Sequence, residues 1–188
     1  MKFEELRLQA KARLDIGCGG NKQDGFIGID KRALPGVDIV HDLEVFPWPI
    51  PLNSCSIAIA SHVVEHIKPW LMLDFMNEVW RILEPGGQFC ISVPYAGSHG
   101  FWQDPTHCNG CNEATWQYFD PTYPLYGIYK PKPWRIKKGF PVYQVQGNME
   151  VIFTKLEEKT GEVISDLSES TIGISVADSA EAGERIGG

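Results

Sequence analysis

Residues 56–93 spell a strand, an amphipathic helix and a second strand with almost nothing between them, and that unit restricts the fold more than any other feature of the chain. The helix begins at Pro69, and Met72, Phe75, Met76, Val79, Ile82 and Leu83 recur at spacings of three and four, which lines one face for burial. Pro85, Gly86 and Gly87 stop it, and a strand at 88–93 follows at once. Two strands separated by a helix of this length join in parallel by a right-handed crossover. Further apolar runs at 12–17, 26–30 and 38–42 precede the strand at 56–61. Several are apolar nearly throughout, as strands covered on both faces are. Beyond the crossover, 141–146 and 149–155 alternate apolar and polar residues around Gly147 and Asn148, the signal for a β-hairpin at the sheet edge. The expected fold is α/β: an open, doubly wound, mostly parallel sheet ending in an antiparallel hairpin, with an irregular insertion at 95–138.

A chain of 188 residues holds one such domain, expected at 1–160, plus a short appendage. With 43% hydrophobic and 22% charged residues it belongs with globular proteins, not with disordered or fibrous ones. The net charge of -7 is uneven: residues 161–188 carry -5 of it and are rich in Ser, Gly and Ala, which predicts a mobile acidic tail. No apolar run approaches the roughly 20 residues of a membrane span, and the charged start MKFEELRLQAKARL lacks the apolar centre of a signal peptide. A cytoplasmic protein with no membrane partner is expected. The five cysteines are odd in number, which disfavours a disulfide framework.

The run Leu14-Asp15-Ile16-Gly17-Cys18-Gly19-Gly20-Asn21 drives an apolar strand straight into a glycine cluster. Ligands of open α/β sheets bind at the carboxyl ends of the strands, where glycines let backbone N–H groups approach without an intervening Cβ. Asp30 ends the second strand, where a carboxylate can accept from two ribose hydroxyls, and Asp42 ends the third. Three strand ends thus deliver a bend and two acids to one rim, which suits an adenosine. Both the dinucleotide fingerprint and the phosphate loop are missing. Asp15 would repel a pyrophosphate but could help hold a cationic amino group.

These motifs resemble the class I methyltransferases that use S-adenosylmethionine. The likeness runs from Asp15-Ile16-Gly17-Cys18-Gly19 through Ile29-Asp30, His41-Asp42-Leu43 and Ala60-Ser61-His62-Val63-Val64-Glu65-His66-Ile67 to Leu83-Glu84-Pro85-Gly86-Gly87, and covers residues 12–94. It implies a Rossmann-like methyltransferase fold with S-adenosylmethionine as cofactor. By this resemblance Gly17, Cys18 and Gly19 pack against the methionine part, Asp15 supports its amino group and Asp30 holds the ribose. Asp42 and Leu43 flank the adenine, while Ser61 and His62 lie near the transferred methyl. Two departures stand out: Asn21 replaces the usual third glycine, and nine residues between Gly20 and Asp30 are too few for the usual helix.

A sulfonium donor is already activated, so a pocket that positions the acceptor does most of the work, and a base is needed only if the acceptor must lose a proton. Candidates for that role are His62, His99, Asp104 and His107. Glu65 and His66 are expected to open a helix, where an acid suits the dipole. His107, Cys108 and Cys111, with His99 nearby, make half of a zinc site, too few ligands for a metal to be expected. The aromatic residues Trp102, Trp116, Tyr118, Phe119, Tyr123, Tyr126, Tyr129 and Trp134 suit either a lid over the rim or a satellite core. The acceptor signatures of amino-directed DNA methylation and of pyrimidine carbon methylation are missing, which favours a small-molecule acceptor, methylated at O or N. A basic, aromatic surface of Lys130, Lys132, Arg135, Lys137 and Lys138 around Trp134 and Tyr129 keeps nucleic acid open as a partner. A non-catalytic module that only binds the cofactor is the rival from another class.

Overall fold

The fold is built on strands β1 (Ala12–Ile16), β2 (Ile27–Asp30), β3 (Ile39–Val40), β4 (Cys55–Ser61) and β5 (Leu83–Pro94), which lie parallel in the order β3-β2-β1-β4-β5. Strands β6 (Trp134–Ile136), β7 (Val142–Tyr143) and β8 (Asn148–Lys155) complete an eight-stranded sheet. This is a computed structural model, and it describes residues 11–145 and 147–158. The expected tail at 161–188 lies outside the described residues. No helix among them is long and apolar enough to cross a membrane.

The mostly parallel α/β sheet matches the expectation, and the differences have local causes. The hairpin is present at the edge of the sheet, with Val142 opposite Glu150, and β8 does more than close it: it runs antiparallel to β5 on one side and carries both β6 and β7 on the other. Strand β6 comes from inside the segment 95–138, which is less irregular than its composition suggests. It also holds three one-turn helices, α2 (His99–Trp102), α3 (Glu113–Gln117) and α4 (Tyr126–Tyr129). Helix α1 (Met72–Ile82) follows a 3-10 turn at Pro69–Leu71 and ends without a loop, because Leu83 is already extended and pairs with Cys55. Pro85, Gly86 and Gly87 then bulge out of β5 before Gln88 pairs with Ile57. Gly86 takes a φ of +76°, and a Cβ on Gly87 would stand 2.8 Å from the Glu84 carbonyl oxygen, so this bulge demands its glycines.

One sheet face is sealed. Phe75, Met76, Val79 and Ile82 of α1 are fully buried with Ala58, Phe89, Ile91 and Phe153 of the strands beneath. Aromatics from 95–138 extend the cover: the Phe153 ring lies 5.7 Å from Trp134, 6.0 Å from Trp116 and 6.4 Å from Phe119. On the other face Ile59, Cys90 and Ile152 are half-buried around a groove of about 270 Å³, so β4, β5 and β8 alternate in burial more than their apolar composition predicts. Lys155 is a cation that this fold takes inside. Its ammonium donates to Asn53 Oδ1 and the Leu83 carbonyl, each at 2.7 Å, and sits 3.8 Å from the centre of the Trp80 ring. Burial pushes its pKa down from 10.5 to about 8.

Two outcomes are expected. Phe153→Ala, which empties the centre of the aromatic cluster, should cost about 3 to 5 kcal/mol in urea unfolding; a loss under about 1 kcal/mol contradicts the packing described. Because the folded chain releases the Lys155 proton near pH 8 while an unfolded lysine keeps it to 10.5, stability should rise with pH between those values. Lys155→Met should flatten that rise by about 1 to 3 kcal/mol, at 1.36 kcal/mol per pKa unit, and an unchanged pH profile would refute it.

Candidate functional site

The parallel strands end at one level, since Ile16 pairs with both Ile29 and Ala60, and Asp30 pairs with Val40. The residues just past these ends therefore share a rim. Gly17 and Gly19 turn the chain there with φ of +66° and +55°, conformations that a side chain resists. A Cβ on Gly17 would fall 2.5 Å from Val63 Cγ2, so the bend is pressed against the loop that follows β4. Its amides face inward: Gly17 and Cys18 donate to the Ile29 carbonyl at 2.7 and 3.3 Å, and Gly19 donates to Asp30 Oδ2 at 2.9 Å. The expectation that these amides are free to approach a ligand is thus corrected, because β2 takes them.

Asp30 is buried and also accepts from Arg32, backbone and Nε, at 2.8 and 3.1 Å. Burial alone would raise its carboxyl, but the hydrogen bonds from Arg32 and Gly19 outweigh that and hold it below the usual carboxylate range. Asp15 is buried beneath the bend and accepts from the Gln23 amide at 2.7 Å; burial wins there and its carboxyl is raised. Burial likewise raises the Cys18 thiol, whose sulfur packs where only a glycine at 28 leaves space. The third strand end joins through the His41 amide, which donates to the Asp30 carbonyl at 3.0 Å. Beyond it Asp42 is exposed and Leu43 buried.

Ser61 and His62 stand exposed at the end of β4, with His62 at a φ of +55°. His62 Nδ1 lies 3.2 Å from Glu65 Oε1 and Nε2 lies 3.1 Å from Asn148 Nδ2. Glu65 accepts only, and the Asn148 amide nitrogen donates only, so His62 carries its proton on Nδ1 and a lone pair on Nε2. The hydrogen bond to Glu65 raises the His62 pKa against the opposing effect of burial. The sequence marks Asn148 only as a hairpin residue, and nothing local points to His62, because β8 brings it here from 86 positions away.

Glu65 is fully buried within a 3-10 turn, Val64–His66, too short to carry the dipole expected of a helix start. Its backbone carbonyl accepts from Cys108 and Asn109 at 2.9 and 3.0 Å, which clamps the insertion onto the rim. That clamp brings in His107, whose ring meets His66 edge to face at 4.7 Å, and Asp104, whose Oδ2 is 3.8 Å from His107 Nε2. Of the four candidate bases, His62, Asp104 and His107 gather here. His99 does not: it is exposed at the start of α2 and its side chain makes no hydrogen bond among the described residues. The half zinc site is not assembled either. Cys111 is buried, with its thiol pushed up to about 12 by burial, while Cys108 is exposed on the 66–67 backbone. Glu65, His66 and His107 have donor atoms within 4.8 Å of one another.

The aromatic residues of 95–138 have different fates, and Trp102 is largely exposed. Trp116, Phe119 and Trp134 are core, which corrects the reading of Trp134 as part of a basic surface. Tyr118 and Tyr129 line a cavity of about 320 Å³ with Trp70, Met72 and Leu73. Among the bases, Lys132 pairs with Glu158 and Arg135 with Asp120, so this stretch is partly neutralised within the chain.

No family model matches this sequence. A probable S-adenosylmethionine-dependent methyltransferase of Mycolicibacterium smegmatis is 37% identical over 105 residues, 47% of this chain and 40% of that protein. The chain thus matches less than half the length of this curated relative. An Archaeoglobus fulgidus SAM-dependent methyltransferase superposes with a TM-score of 0.57 at 16% identity, covering 81% of this chain and 90% of that one. One from Aquifex aeolicus gives 0.54 at 15% identity, covering 81% and 87%. The chain has the fold of the S-adenosylmethionine-dependent methyltransferases.

Proposed function

We propose that this chain is a methyltransferase that moves the methyl group of S-adenosylmethionine to an oxygen or nitrogen atom of a small-molecule acceptor. The observation that best supports it is the continuous rim in which Gly19 bonds Asp30 at 2.9 Å, His41 bonds Asp30 at 3.0 Å and Gly17 abuts Val63. The residues fit a nucleoside that carries a charged amino acid arm. Asp30 offers carboxylate oxygens to ribose hydroxyls, and Asp42 and Leu43 flank the adenine. Gly17, Cys18 and Gly19 border the methionine arm, with Asp15 as the acid for its amino group. Ser61 and His62 stand at the methyl end. The cofactor, when bound, supplies a methyl group on an electron-poor sulfonium. The protein's part is to hold the acceptor in line and keep water out.

Where the acceptor atom bears a proton, His62 Nε2 is the base, the acceptor taking the place of Asn148 Nδ2, which donates to that nitrogen at 3.1 Å. Glu65 fixes its tautomer and stabilises the imidazolium that forms, while Asp104 and His107 stand behind Glu65 as positioning groups. Pairing of Lys132 with Glu158 and of Arg135 with Asp120 takes up part of the basic stretch, which favours a small acceptor over nucleic acid. Five free thiols agree with action in the reducing cytoplasm.

Calorimetric titration with S-adenosylmethionine and with its demethylated product tests the cofactor, and both should bind. Asp30→Ala should weaken binding by about 1 to 3 kcal/mol, the cost of a lost charged partner. Arg32→Ala, which clears a competing guanidinium from Asp30, should leave binding equal or tighter; an unchanged Kd in Asp30→Ala would refute the ribose assignment. For transfer, His62→Gln should lower kcat by about 10² to 10⁴ with little change in cofactor Kd. Since Glu65 raises the His62 pKa above 6.5, the wild-type rate should fall as pH drops through that raised value. Cofactor binding without methylation of any component of a metabolite extract would reduce the chain to a binding module.

A further inference from the structure

The cluster behind His62 has an electrostatic arrangement that the transfer reaction does not require. His107 is nearly buried, with a side-chain exposure of 7%, and its Nδ1 donates to the Phe101 carbonyl at 2.8 Å. That bond puts the neutral ring's lone pair on Nε2. Yet Nε2 lies 3.9 Å from Glu65 and 3.8 Å from Asp104, beyond hydrogen-bond range of both. Glu65 is fully buried, and its second carboxylate oxygen, Oε2, has no hydrogen-bond partner. A buried carboxylate that keeps Oε2 without a partner, while an unengaged imidazole nitrogen stands 3.9 Å from its Oε1, is costly unless a further group engages them.

We propose that Glu65, His66 and His107 bind a divalent transition-metal ion of the borderline class, such as zinc or cobalt(II). Their donor atoms already lie within 4.8 Å of one another. Ligands around a tetrahedral ion with bonds of about 2.1 Å stand roughly 3.4 Å apart, so a modest inward shift closes the set. Two imidazoles and one carboxylate are the ligand chemistry such ions take, and three protein ligands leave a position open. The supporting groups that metal-bound histidines need are in place: Phe101 orients His107, and Thr106 Oγ1 lies 3.1 Å from His66 Nδ1. Thr106 is itself held by Asp104, at 2.7 Å. This site differs from the cysteine-based half site read from the sequence, and it does not depend on cofactor binding.

The test uses the full chain, stripped of metal with a chelator and titrated with cobalt(II) and, separately, zinc. One equivalent should bind, cobalt with the intense visible absorption of a tetrahedral nitrogen and oxygen site. His107→Ala and Glu65→Gln should each weaken binding at least tenfold. His66 is exposed, so His66→Ala should do the same with an unchanged circular dichroism spectrum, which keeps the test valid if the buried variants unfold. Cys108→Ser should bind as the wild type does. The proposal is overturned if no cobalt binds at millimolar concentration, if His66→Ala binds normally, or if Cys108→Ser is the variant that loses the metal. S-adenosylmethionine titration of the same variants separates this outcome from failure of the methyltransferase reading.

Discussion

One eleven-residue helix cannot cover the face of an eight-stranded sheet, and most of this molecule follows from how that shortage is met. The connections between β1, β2 and β3 are too short for helices, so apolar cover has to come from elsewhere. It comes from Trp48, which packs on Phe75 at 5.7 Å, and from Trp116, Phe119 and Trp134 of the segment after β5. Aromatic side chains remove the most surface from water per residue, so a few of them replace a missing helix layer. The indole N–H groups of Trp116 and Trp134 find no acceptor, a cost that the large buried area outweighs.

The same segment that seals the core also builds the site. Its chain passes the rim at 104–109, where two backbone bonds to the Glu65 carbonyl fasten it. Core packing, rim geometry and the charge cluster are therefore coupled through one short turn after β4. Glu65 touches both sides of this coupling, His62 at 3.2 Å toward the end of β4 and His107 at 3.9 Å toward the insertion. Buried carboxylates of this sort are strongly constrained in position, since every bond they lose is lost in a medium of low dielectric.

Legibility in the sequence followed the range of the interactions. The crossover 56–93 was readable because helix period and strand period are local properties, and the glycine bend because left-handed backbone is local too. Asp30 was legible as a strand-end acid, and its place beside Gly19 followed from parallel order. Strand β6 was not legible: Trp134, Arg135 and Ile136 look basic and aromatic in sequence, and only pairing with Phe153, Thr154 and Lys155 makes them a strand. His107 and Asn148 carried no sign of their partners, because those contacts close loops of about forty residues or more.

By itself the sequence determined the strand-end chemistry: a side-chain-free bend, acids at the second and third strands, and histidines after the fourth and in the insertion. These depend on residue type and on spacing within single elements. Tertiary structure decided which of those groups meet. It spent the amides of the bend on β2, turned Trp134 inward, left His99 outside and set Glu65, His66 and His107 together. The reason is physical: side-chain encounters between distant segments are fixed by packing of the whole core, and no local period encodes them.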